Sequence, residues 1–285
     1  MKKSMMRLLG VAALLLLSRS VSADMFVSVN IAPPALPVYE QPDCPGDGYL
    51  WMPGYWAYSD NDPYGGYYWV PGTWVMAPRP GYLWTPPYWV WRENVYVFHP
   101  GYWGPHVGFY GGVNYGYGYV GSGYHGGRWE GDRFAYNRAV NNVDVTRVHN
   151  TYNTTIINNT VINRVSYNGG NGGIRAQPSE QERVAEREQH VNATGEQLRH
   201  EQMAHGNPAQ HNANNHGHPE LAATPKAAVF HAPEHDRGAP QNRPQQPRPQ
   251  QEQHQQSHPQ QEQHQQSHPQ QEQHQQSHPQ QEEHP

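Results

Sequence analysis

One cysteine, Cys44, stands in 285 residues, so no intramolecular disulfide can staple this fold. Long apolar runs are also missing. The most apolar stretch, Leu8 to Leu17, is roughly ten residues, against the ~20 that a membrane-spanning helix needs. Positive charge is thin and scattered, with 19 Lys and Arg against 24 Asp and Glu and a formal net charge of -5; a nucleic-acid surface has no electrostatic footprint here. Aromatic rings are missing from the second half: all nine Trp lie at or before Trp129, all nineteen Tyr at or before Tyr167, and Phe230 is the one ring beyond. A core is therefore expected in the front half alone, followed by a polar tail, despite a length that would suit two domains.

Within the front half one phrase recurs four times: Tyr, any residue, aromatic, any residue, Pro, Gly or Pro, any residue, Trp. Its ring positions are Tyr49, Trp51 and Trp56; Tyr67, Trp69 and Trp74; Tyr82, Trp84 and Trp89; Tyr96, Phe98 and Trp103. A spacing of 14 to 18 residues between copies argues for a small repeat unit rather than a long helix or an enzyme core. Tyr49 and Trp51, at i and i+2, share one face of a strand, and Pro53-Gly54 reads as the fixed φ and the positive φ of a type II turn. As a two-residue hairpin loop it would set Trp51 opposite Trp56. Type II turns twist against their strands, which leaves looser arches equally open, above all at Pro86-Pro87. The rings are expected to form the core; exposed, they would instead stack on sugars such as peptidoglycan.

The amino terminus places Lys2, Lys3 and Arg7 ahead of the apolar run and Val21-Ser22-Ala23 after it, the order of a secretory signal peptide over 1–23. Export to the periplasm or the cell surface is expected, with no transmembrane segment in the mature chain. Residues 24–47 read as an extended leader with one edge strand at Phe26-Val27-Ser28-Val29, interrupted by prolines, and Cys44 as an unpaired thiol in that flexible stretch. The aromatic repeats occupy 48–130. Their last part, where glycine alternates with tyrosine as in Tyr115-Gly116-Tyr117-Gly118-Tyr119, reads either as an irregular strand with rings over glycine gaps or as a flexible linker.

Residues 131–175 turn to Val, Ile, Thr and Asn and predict short strands ending at Asn168-Gly169-Gly170. Asn153-Thr154-Thr155 and Asn158-Asn159-Thr160 match a glycosylation acceptor, a pattern polar strands produce by chance. Ser179 with Glu182 forms a capping box, and one short surface helix is expected over 176–205, with Val184, Val191 and Leu198 on one stripe. From 206 to 285 the chain is Gln, His, Asn, Pro and Ala, and too poor in apolar side chains to offset the ordering entropy. It ends in three copies of Gln-Glu-Gln-His-Gln-Gln-Ser-His-Pro-Gln.

Those copies carry His254 with His258, His264 with His268, and His274 with His278. Imidazole pairs at i, i+4 are candidate weak ligands for Zn, Cu or Ni, or solvated spacer. Look-alikes of catalytic motifs fail on context. Gly116, Gly118 and Gly121 have dinucleotide-loop spacing with no helix to follow. His200-Glu201 with His205 resembles a zinc-protease helix, with its histidines five apart instead of four. No nucleophile elbow occurs. The expectation is no catalytic activity, no catalytic residues and no bound cofactor.

The four phrases resemble the bacterial YXWGXW (WXXGXW) repeat proteins. The resemblance runs over roughly 40 to 230, taking in Pro100 to Gly112, Tyr136 to Gly170, Asn215-His216-Gly217-His218-Pro219 and Ala222-Ala223-Thr224-Pro225. Pro87 for Gly, Phe98 for Trp and the decapeptide tail depart from it. The resemblance implies export into the bacterial envelope and no assigned activity. Taken together, the sequence predicts a mostly β protein: a small meander of aromatic hairpins, Asn-rich strands, one short helix and a long disordered tail. It would act by contact with an envelope protein or a glycan and not with nucleic acid, and metal buffering by the tail is the alternative.

Overall fold

The computed structural model describes residues 27–60, 65–155 and 164–230. The signal peptide, the Asn158 acceptor and the paired histidines from His254 to His278 lie outside these residues. The chain divides into two units, 1–234 and 235–285, and all described residues belong to the first.

The architecture is mostly β, in small open sheets. After β1 (Ser28–Val29) come β2 (Tyr49–Met52), β3 (Tyr55–Ser59), β4 (Gly66–Val70) and β5 (Gly72–Met76). The proline steps between them are not hairpin turns. β3 pairs with β4, and β2 pairs with β5 in a different sheet, so each Pro-Gly carries the chain as an arch from one sheet to the next. Trp51 consequently faces Trp74, and Trp56 faces Trp69; both pairs stand edge to face at 5.3 Å and 66°. The expected opposition of Trp51 and Trp56 is corrected by this register.

A second unit repeats the plan with β6 (Leu83–Thr85), β7 (Tyr88–Arg92), β8 (Val95–His99) and β9 (Tyr102–Gly104). The inner pair β7–β8 sets Trp89 against Phe98, and the outer pair β6–β9 sets Trp84 against Trp103. Its true hairpin turn is Glu93-Asn94, with φ of 49° and 67°, the conformation that matches strand twist in a two-residue loop. Four aromatic pairs of this kind contribute roughly 0.5–1.5 kcal/mol each beyond the area they bury.

Gly54, Gly72 and Gly101 do not have positive φ, so the type II reading of these corners is also corrected. What they provide is close approach. A Cβ on Gly54 would lie 2.3 Å from the Trp69 ring and 2.8 Å from the Gly72 nitrogen; one on Gly72 would lie 2.6 Å from the Trp51 ring. The two corners of the first unit nest backbone to backbone, each covered by the indole of the other phrase.

The Gly/Tyr stretch is ordered as the hairpin β10 (Asn114–Gly116) and β11 (Tyr119–Val120), with Tyr110, Tyr115 and Tyr119 buried. β12 (Gly127–Glu130), β13 (Arg133–Asn137) and β14 (Thr151–Tyr152) form a three-stranded sheet, and β15 (Tyr167–Asn168) joins β7 in parallel. The asparagines of this region brace loops as much as they build strands. Asn137 donates to the His125 and Thr154 carbonyls, and Asn168 to those of Gly111 and Ala176. The acceptor motif at Asn153 falls at the edge of this bracing, with Thr154 bonded to Asn137 through both its backbone groups.

Three boundaries differ from expectation. The single helix is two: α1 (Glu180–Glu186) and α2 (Gly195–His205), each opened by a capping box, Ser179 with Glu182 and Thr194 with Gln197. Between them Val191 makes both backbone bonds of a bridge to Trp103. That breaks the proposed stripe, and Val184 and Leu198 are exposed. Second, order continues past 206 through a 3-10 turn (Pro208–Gln210), α3 (Asn212–Asn215) and β16 (Ala223–Thr224), which pairs with β5. Gln210, His211 and Thr224 are buried there, so the polar composition was satisfied by packing rather than left loose. Third, the leader is irregular but not loose: Leu36, Gln41 and Cys44 are buried. Only β1, on β8, is the predicted edge strand. No described helix is long and apolar enough to cross a membrane.

Candidate functional site

A buried indole or phenol needs a partner for its polar edge. Here the partners are mostly carbonyls of irregular backbone. Trp56 donates to Ala35 at 3.1 Å, Trp74 to Pro42 at 2.8 Å, Trp69 to Ala222 at 3.0 Å and Trp89 to Trp56 at 2.8 Å. Tyr67 donates to Ile31, and Tyr117 to the carbonyl of Tyr39. The leader thus works as a strip of acceptors. Its prolines contribute carbonyls and no competing N–H, which suits a surface of ring donors. Side chains also accept: Trp103 donates to Gln197 Oε1 at 2.7 Å and Tyr68 to Glu201 Oε1 at 3.4 Å, while the buried indole nitrogens of Trp51 and Trp84 have no hydrogen-bond partner among the described residues.

Where the leader crosses the first arch it leaves an apolar groove of about 310 Å³. Val38, Tyr39, Gly54, Trp69, Tyr117 and Arg164 are among its lining residues, and the Tyr39 and Tyr117 rings touch at 5.7 Å. Val38 is 76 % exposed. The Tyr39 hydroxyl sits over the glycine corner and accepts from the Gly54 N–H at 3.4 Å; burial raises its pKa far above that of a free phenol. Burial likewise raises that of Tyr117. Both phenols are therefore hydrogen-bonding and packing groups across the physiological range. A groove of this size, apolar with a few polar groups at its edge, has the composition of a binding cleft for a small or extended ligand.

The repeat rings themselves are not a platform. Trp51, Trp56, Trp69, Trp74, Trp84, Trp89 and Trp103 are at most 3 % exposed, and Tyr67, Tyr82 and Tyr96 are buried. Tyr49 and Phe98 are half-buried against the same core. A sugar ring has no access to the stacked faces, so the core reading of the phrase holds.

His200 and His205 do not converge on a metal. His200 is fully buried, its Nε2 2.9 Å from the Pro71 carbonyl and its Nδ1 3.0 Å from the Ala228 nitrogen, while His205 packs on the Tyr68 ring at 5.0 Å. No set of three His, Cys, Asp or Glu with metal-holding geometry occurs among the described residues. Cys44 is a free thiol, and it is fully buried instead of lying in a flexible stretch. Its thiol donates to the Gly46 carbonyl at 3.2 Å, and burial pushes its pKa up to about 11.

The leader carbonyls, Tyr39 and Gln197 were not among the residues singled out from sequence, and His200 was noted there only in the zinc-protease look-alike. Only Gln197 had a readable signal there, as the fourth residue of Thr194-Gly195-Glu196-Gln197, a helix-start pattern.

The WXXGXW repeat family matches the chain in two copies, over residues 46–75 and 79–103. These bounds take in all but the last residue of each of the two four-stranded units, β2–β5 and β6–β9. The family motif itself, Trp51 to Trp56 and Trp69 to Trp74, is one arch with its glycine at the close approach. No curated protein and no solved structure matches the chain.

Proposed function

We propose that this chain, which carries the WXXGXW repeat twice, is exported to the bacterial envelope and acts there by contact, as a structural or interaction protein without catalytic activity. The observation that carries this reading is how the aromatics divide. The repeat rings are spent on the fold, while Val38, Tyr39 and Tyr117 border an open apolar groove. The amino-terminal sequence supports export. The partner is an envelope component presenting a short apolar segment.

The test has two arms. N-terminal sequencing of the protein recovered from a periplasmic or surface fraction is expected to begin at Asp24; an uncleaved chain confined to the cytosol overturns export. Affinity capture from envelope extract is then run with the native chain and with Val38→Glu, which puts a charge on an exposed lining residue of the groove. Loss of a captured partner with this variant is expected, and unchanged capture removes the groove from the reading.

A second reading rests on the three histidine pairs at i, i+4 from His254 to His278: weak capture of Zn, Cu or Ni by the tail. Calorimetry on full-length and tail-deleted protein separates the two. Micromolar binding lost with the tail favours the second.

A further inference from the structure

Residues 222–230 cross the domain in two differently held parts. The first is part of a sheet. The Ala222 carbonyl accepts from the Gly72 N–H at 3.1 Å and from the Trp69 indole at 3.0 Å, Ala223 and Thr224 run parallel to β5, and the Thr224 and Thr73 hydroxyls are 2.9 Å apart. The second part, Pro225 to Phe230, has no strand partner. It closes on itself through the Val229 N–H and the Lys226 carbonyl at 3.3 Å, lays Phe230 on the His200 ring at 4.9 Å, and aims the Ala228 N–H at His200 Nδ1. Ala228 has a φ of 57°, a left-handed conformation that alanine holds only when its surroundings impose it.

The tautomer follows from the partners. Nδ1 faces an N–H and must accept; Nε2 faces the Pro71 carbonyl and must donate. A second proton on the ring would go to Nδ1, against the Ala228 N–H, so the charged ring and the docked segment exclude one another. We propose that Pro225–Phe230 is an acid-releasable strap, docked while His200 is neutral and freed when His200 takes a proton. The strap directly precedes residue 231 in sequence.

Surrounding charges do not reverse this sign. The ionisable groups on adjoining elements are Glu196, Arg199, Glu201 and His205 on α2, His211 after the 3-10 turn, Lys226 on the strap, Tyr67 and Tyr68 on β4, and Tyr49 on β2, whose ring lies under the Lys226 ammonium at 5.6 Å. His200 itself is lowered to about 4, by burial first, with the Pro71 carbonyl opposing. A histidine lowered from 6.5 contributes its stability above that value and loses it as pH falls toward 4. Glu201, raised by burial, titrates the other way: its protonated form is favoured in the fold, so acid does not weaken the domain through it.

Hydrogen exchange of the mature full chain at pH 7.5, 5.5 and 4.0, corrected for intrinsic rates, tests this. Expected is a loss of protection of at least tenfold at 226–230 by pH 4.0, with 49–56 and 67–74 unchanged. Equal protection of the strap at all three values, or loss shared with the repeat strands, overturns the proposal. In His200→Gln, whose amide cannot be charged, strap exchange is expected to be independent of pH; the native pH dependence persisting there also overturns it. Should that variant not fold, the reciprocal measurement serves. Linkage requires Phe230→Ala, which weakens the docked strap, to move the His200 NMR titration midpoint toward 6.5, and an unmoved midpoint refutes the coupling.

Discussion

Pro87 and Phe98, the two departures from the repeat phrase, stand at the two positions that meet at the glycine corner of the first unit. In the first unit Gly54 has no Cβ because the Trp69 ring lies where it would be, and Trp69 reaches that place from the strand position opposite Trp56. In the second unit Pro87 stands at the glycine position and Phe98, opposite Trp89, at the tryptophan position. A residue with a Cβ at the corner, with a smaller ring at the position that covers the corner in the first unit, fits a compensated exchange. Phe98→Trp is expected to overpack the corner and cost about 1–3 kcal/mol, whereas Pro87→Gly with Phe98→Trp should recover most of that. The double-mutant cycle, read by urea unfolding, should then show a coupling of at least about 1 kcal/mol; additive effects would mean the two positions are independent. Gly54→Ala, with no compensation, is expected to cost about 1–3 kcal/mol or more for the same reason. Cys44 makes a separate prediction. Buried and raised to about 11 by that burial, it should resist a thiol reagent at pH 8 in the native protein and react only on unfolding. Fast labelling under native conditions would show that the leader opens.

Helix α2 is positioned by a residue with two duties. Gln197 Oε1 accepts from the Thr194 backbone N–H at 2.8 Å, completing the capping box, and from the Trp103 indole at 2.7 Å. Replacing it with leucine removes the cap partner and leaves a buried indole N–H without an acceptor, at a cost of about 1–3 kcal/mol. Thr194→Ala removes only the cap, for about 1 kcal/mol. Thermal unfolding of the two variants is expected to rank them in that order, and equal midpoints would deny Trp103 its dependence on the helix. The same element shows where sequence was readable and where it was not. Strand periodicity and the first capping box rest on contacts within a few residues and were legible, and the role of the repeat rings as core followed from their segregation to the front half. The pairing of Trp51 with Trp74 rather than Trp56 was not, because Pro-Gly is compatible with a turn or an arch, and only the fit of Gly54 against Gly72 decides between them. The groove escaped for a related reason. Its lining comes from Val38, Tyr117 and Arg164, distant in sequence, and no local pattern joins them.

At the scale of the molecule, the rings form an inner body, and three of its indole edges are closed from the two ends of the described chain. The leader supplies the Ala35 and Pro42 carbonyls to Trp56 and Trp74, and the far end supplies Ala222 to Trp69. Neither wrapping carries enough apolar surface to look ordered in sequence, so composition alone places the boundary of the domain too early, at 205. A buried N–H left without a partner costs about 1–3 kcal/mol. Ending the chain at 205 orphans the Trp69 indole and also removes buried Gln210, His211 and Thr224, as well as the β16 strand from β5. A mature chain spanning 24–230 is therefore expected to unfold cooperatively, with its tryptophan emission blue-shifted. One spanning 24–205 should lose several kcal/mol, enough to remove much of the stability of a domain this size. Matching unfolding midpoints for the two lengths would mean that the rings hold together without the outer chain, and that residues 206–230 are passengers on a core already complete.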